Sequence, residues 1–282
     1  MKDQAAGLRA LDLGRRTAGA FPEDGPPVLV LGSGKGGVGK SVLSVLLASA
    51  LARGGRRTLL LDGAQNQGNL HILLGVRPAV GLGAVHAGEA EPASLLAPVA
   101  ENLWLLPGDS GAEALYGLGA VDRARLHRRL SALYDDFDQV VVDGGPGIES
   151  VVRAAGIRAS RLALVVVPEP ASLADAYALL KIVHLQVPSV PIEVMVNRTC
   201  ADEEGQAVVD RLRLAARRFL RRDLGFLGSI PEAEAIRLGT RRPGALLDVR
   251  SDAIDAVIER WTADELNPDA GVVGARTGTS RT

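Results

Sequence analysis

Eight consecutive residues carry the most legible chemistry in this sequence: Gly34, Lys35, Gly36, Gly37, Val38, Gly39, Lys40 and Ser41. Their order fits G-x-x-x-x-G-K-[ST], a loop whose backbone N–H groups wrap anionic oxygens. The glycines let the main chain approach an anion closely. Lys40 supplies a positive charge for β/γ-phosphates, and the Ser41 hydroxyl is a ligand of the type Mg²⁺ takes. A second pattern overlaps the first: Gly32-x-Gly34-x-x-Gly37 fits a dinucleotide fingerprint, with Asp62 as its acidic partner. That reading leaves Lys40 and Ser41 unexplained, so the phosphate loop is preferred. Asp143, at the end of an apolar run, is placed to hold Mg²⁺ through water.

A loop of this kind needs a strand before it and a helix after it. Residues 28–31 read as a strand, and 42–52 as a buried helix that stops near Gly54 and Gly55. Further strands are expected at 58–62, 103–106, 140–143, 162–167, 192–196 and 226–230. Helices are expected at 121–137, from a capping box at Ser172–Asp175 to about 186, at 208–220 and at 251–266. Strands that are apolar throughout and alternate with helices imply an α/β fold, with a doubly wound, mostly parallel sheet. Residues 1–13 form a separate segment, 14–27 a linker, 28–266 the body and 267–282 a disordered tail.

Composition narrows the function classes. The chain has 282 residues, 47% of them hydrophobic, enough for one large core. A net charge of −1 gives no global pull toward nucleic acid or membrane, and aromatics at 3% argue against a base-stacking surface. Cys200 is the only cysteine, so neither an internal disulfide nor a cysteine metal cluster is possible; it is expected as a semi-buried thiol beside a strand end. Without an apolar leader or a bilayer-length apolar run, a cytoplasmic protein is expected. Arg211, Arg213, Arg217, Arg218, Arg221 and Arg222 line one side of a helix opposite Val208, Leu212, Ala216 and Phe219, and are expected to be a solvated face rather than a DNA site.

Lys35 stands at the start of the loop as an additional lysine. In this the loop resembles the deviant phosphate loop of the MinD/ParA ATPases, a P-loop family. The resemblance spans roughly 28–261. It implies ATP and Mg²⁺ as cofactors, held along Gly34–Val42 with Ser41 and Asp143 at the metal. Lys35, Lys40 and Asp62 would serve hydrolysis. It implies a homodimer in which Lys35 reaches the partner's ATP phosphates, and adenine recognition near Asn197, Arg198 and Pro231.

Pro168-Glu169-Pro170 and 172–181 resemble the flagellar branch of that family, FlhG, also called FleN or YlxH. Asp3-Gln4-Ala5-Ala6-Gly7-Leu8-Arg9 resembles its N-terminal DQAxxLR segment. That implies Asp3, Gln4, Leu8 and Arg9 as contacts to FlhF, a signal-recognition-type GTPase. Flagellar C-ring proteins, a transcription regulator and the inner face of the cell membrane are further candidates. Three departures stand out. Ala64 replaces the family's water-orienting Asp, so slow hydrolysis is expected. The family's usual acidic residue after Pro231 falls at Ala233 or at Glu234, and 271–282 lacks the periodicity of a membrane-targeting helix. A ParA-like DNA-partitioning ATPase and a non-hydrolysing nucleotide-binding scaffold are the rival readings.

Overall fold

The computed structural model describes residues 25–63, 68–108, 133–145, 147–148, 151 and 159–265. The strands are β1 (Val28–Gly32), β2 (Thr58–Asp62), β3 (Ala97–Ala100), β4 (Leu103–Leu106), β5 (Gln139–Asp143), β6 (Arg161–Val166), β7 (Ile192–Thr199) and β8 (Gly225–Pro231). They form one sheet in the order β3-β4-β2-β5-β1-β6-β7-β8. Neighbours are parallel except β3, which runs antiparallel to β4 at the edge.

Alternate strand residues serve two cores. Val28, Val30, Val140, Val142, Leu162 and Leu164 pack on one face. Leu29, Leu31, Val141, Ala163 and Val165 pack on the other. With both faces covered, the central strands β1, β5 and β6 are apolar over most of their length, which is why they were readable. The first face takes helices α4 (Pro170–Gln186) and α5 (Asp202–Leu220); the second takes α1 (Lys40–Arg53) and α7 (Asp252–Glu265), anchored by the fully buried Trp261. Short helices α2 (Leu70–Leu74), α3 (Leu82–Ala87) and α6 (Glu234–Gly239) fill the connections.

Several expectations are corrected. No capping box opens α4. The helix starts three residues earlier, with Glu169 at the cap and Pro170 in the first turn, where its fixed φ and missing N–H suit a helix start. Ser172 is buried inside the helix, and its Oγ accepts the Val167 N–H at 3.1 Å. β7 continues through Asn197 and Arg198 to Thr199, and α5 begins at Asp202 rather than 208. The arginine face is solvated at Arg211, Arg217, Arg218 and Arg221, with Arg217 paired to the exposed Asp223; only Arg213 and Arg222 are half-buried, donating to the Leu224 and Val190 carbonyls. Phe219, expected on the apolar side, is 66% exposed. Cys200 is exposed, not semi-buried. The helix expected over 121–137 lies mostly outside the described residues, as do residues 1–24 and 266–282.

Candidate phosphate-binding site

β1 lies between β5 and β6, so the chain crosses to opposite sides of the sheet at its carboxyl end. In open α/β sheets such a switch point opens a crevice for ligands. The loop from Ser33 to Gly39 occupies it. Gly37 and Gly39 have φ of 78° and 97°, left-handed values that side chains resist. Gly34 and Gly39 are needed for a second reason. A Cβ on Gly34 would overlap the Asp175 carbonyl, and one on Gly39 would overlap the Asn197 amide. On Gly36 and Gly37 a Cβ would meet nothing within 4 Å, so this side of the loop is open. The first N–H groups of α1 have no acceptor within the helix and add positive potential beside it.

The side chains complete a cradle. Lys40 is 7% exposed, and its Nζ donates to Ser33 Oγ at 2.7 Å. Burial lowers the Lys40 pKa, an effect opposed by the charge of Asp143. Ser41 Oγ donates to Asp143 Oδ2, while the Gly145 N–H donates to Oδ1 at 3.3 Å. Asp62 lies beside Asp143 on the next strand and accepts the Leu70 N–H at 3.2 Å. A hydroxyl and a carboxylate held together at a helix start are hard oxygen ligands, which suit Mg²⁺. No group of three or more His, Cys, Asp or Glu stands ready for a metal among the described residues, so a cation here would also use water and phosphate oxygens. The residues present therefore fit an Mg²⁺-bound polyphosphate.

A cavity of about 220 Å³ adjoins the loop, lined by Gly39, Val42, Asn197, Arg198, Pro231, Glu232, Ile236, Arg237 and Thr240 among others. The sequence-derived residues Asn197, Arg198 and Pro231 come together because β7 and β8 run parallel, with Asn197 opposite Ile230 and Thr199 opposite Pro231. The Asn197 amide donates to the Val38 carbonyl at 2.8 Å, joining cavity to loop. Arg198 has φ 59°, an uncommon backbone state for a side-chain-bearing residue.

Glu232, Ile236, Arg237 and Thr240 were missed. They sit on or beside α6, whose 6 residues are too few to show helical periodicity. Ser33 was also missed, and a small polar residue just ahead of the loop was its only signal. Lys35 is 42% exposed and pairs with Glu169 of the same chain at 3.0 Å. Ala64 and the segment holding Asp3, Gln4, Leu8 and Arg9 lie outside the described residues.

Phosphate loop, strand-end carboxylate and switch point define a P-loop nucleotide-binding protein, and residues 29–242 match the CobQ/CobB/MinD/ParA nucleotide binding domain. The chain belongs to that family. It is 34% identical over 221 residues to the antiactivator FleN of Pseudomonas aeruginosa, covering 78% of this chain and 79% of FleN. It is 28% identical to the flagellum site-determining protein YlxH of Helicobacter pylori, over 81% of this chain and 79% of YlxH. The septum site-determining protein MinD from Pyrococcus horikoshii, solved with Mg-ADP, superposes with a TM-score of 0.64 at 26% identity, over 89% of this chain and 100% of that one.

Proposed function

We propose that the chain is an ATP-dependent regulator of flagellar number and placement, working as a nucleotide-gated homodimer in the cytoplasm. The arrangement around Lys40 carries the nucleotide part: a buried ammonium, the Ser41–Asp143 pair and an open glycine face meet at one helix start. Similarity to FleN and YlxH supports the flagellar part. Lys40 would neutralise the β/γ-phosphates. Ser41 and Asp143 would hold Mg²⁺, which offsets phosphate charge when bound. The cavity between β7, β8 and α6 would take the adenine, with Asn197 and Arg198 at its wall.

Lys35 would act in trans on the partner's phosphates, and residues 1–13, with Asp3, Gln4, Leu8 and Arg9, would engage an FlhF-type GTPase. C-ring proteins or a transcription regulator are the next partners to try. Among the described residues no helix is long and apolar enough to cross a membrane. The test is light scattering of the full chain with Mg-ATP and with Mg-ADP, alongside phosphate release. ATP-specific dimers are expected, and a monomer at saturating ATP overturns the gating. Ala64 favours a second reading, a nucleotide-binding scaffold with negligible turnover, distinguished by the phosphate measurement.

A further inference from the structure

Ser33 lies outside the eight-residue loop motif, yet it is 1% exposed and bonds to both lysine residues of the loop. Its hydroxyl donates to the Lys35 carbonyl at 2.6 Å and accepts from Lys40 Nζ at 2.7 Å. A hydroxyl has one donor and two acceptor sites, so both bonds can exist together. Each has a consequence for an anion. A trans peptide points its C=O and N–H in opposite directions. With the Lys35 carbonyl turned toward Ser33, the Gly36 N–H of the same peptide points away from it. The Lys40 ammonium has three donors. Ser33 uses one, fixing the side chain in place and leaving two for a ligand.

We propose that Ser33 is a positioning residue of the phosphate site, a hydroxyl relay that presets the Lys40 ammonium and the Lys35–Gly36 peptide for the terminal phosphates of a nucleotide. The proposal rests on the nucleotide reading above and specifies how that site is prepared before its ligand arrives. Ser33 touches no phosphate on this account; it acts through Lys40 and through the loop main chain.

The test is calorimetric titration of the full chain with Mg-ADP and Mg-ATP, comparing wild type, Ser33→Ala, Ser33→Thr and Ser33→Val. Threonine and valine have nearly the same shape and differ in the hydroxyl, so their difference isolates the relay even if both crowd the site. Loss of a buried bond to a charged group should weaken binding on the order of tenfold in Ser33→Ala and Ser33→Val relative to wild type and Ser33→Thr, respectively. Because the relay works largely through Lys40, the Ser33→Ala effect should shrink several-fold in a Lys40→Ala background.

Ser33→Ala binding as tightly as wild type, or more tightly, overturns the relay. So do equal affinities for the threonine and valine variants, or full additivity with Lys40→Ala. Wild-type protein that binds neither nucleotide overturns the nucleotide reading itself, a different result from any of these. Melting curves of each variant separate lost folding from lost positioning.

Discussion

Lys35 Nζ lies 3.0 Å from Glu169 Oε2, a contact that spans 134 positions of sequence and ties the phosphate loop to the cap of α4. In the proposed dimer Lys35 must leave this partner for the other protomer's phosphates. Both ends are exposed, so the pair is worth about 0.2–1 kcal/mol and is screened by salt. Glu169→Gln should tighten ATP-dependent dimers by a few-fold to about tenfold, since a symmetric dimer breaks two such pairs. Lys35→Ala should keep Mg-ADP binding and lose the dimer. Light scattering across a protein concentration series measures both, and a weaker Glu169→Gln dimer would place Glu169 in the interface instead.

Lys40 carries a buried charge beside the loop. Lys40→Ala should reduce Mg-ATP affinity by roughly 100-fold, the scale of losing a desolvated charge-assisted contact. Calorimetry that returns the wild-type constant would remove Lys40 from the site.

Asp143 holds Ser41 and contributes charge to the Lys40 environment. Asp143→Asn keeps an acceptor for Ser41 but loses the negative charge. The gain in ATP affinity on adding Mg²⁺ to chelator-treated protein should fall at least several-fold. An unchanged Mg²⁺ dependence would mean that the metal sits elsewhere.

Two glycines give opposite expectations. Gly39→Ala forces a side chain into a left-handed φ and onto Asn197, at a cost of roughly 1–3 kcal/mol visible in denaturant melts. Gly36→Ala meets nothing within 4 Å, so its stability should stay near wild type while nucleotide affinity drops, because the new methyl faces the open side. Full affinity in Gly36→Ala would move the ligand away from that side.

In the proposed reading Ala64 stands at the water-orienting position, where a methyl group cannot accept a hydrogen bond, and mispositioning alone costs on the order of 100-fold in rate. Wild-type protein should bind ATP and release phosphate very slowly, and Ala64→Asp should raise the turnover. Brisk wild-type hydrolysis that disappears in Gln65→Ala or Gln67→Ala would transfer the role to a glutamine. Brisk hydrolysis untouched by either change would end the argument.

The loop and the sheet were readable because each has a local signature. Gly34 to Ser41 is contiguous, and strands such as Val140–Asp143 are apolar at every position but the last, since helices cover both faces. What was missed depends on contacts between distant positions or on elements too short to repeat. β3 has 4 residues and carries Pro98 at the sheet edge, and α6 has 6. The Ser33 relay and the Lys35–Glu169 pair are properties of folded geometry. At Ser172 the reason is local: Ser172–Asp175 matches a capping pattern, but Pro170 two residues ahead starts the helix by its ring constraint.

The absent side chain of Gly34 has a mechanical meaning. The loop main chain rests directly on the carbonyl of Asp175, with no cushion of side-chain atoms between the two backbones. Flexible side chains absorb small displacements by changing rotamer, whereas abutting backbones pass them on. A shift of the loop toward α4 would therefore press on the helix backbone itself. That helix carries Lys181 and the 71%-exposed Leu185 on the outside of the molecule. A loop displacement toward Asp175 would thus bear on α4 with no play in the joint, as a pushrod bears on a lever.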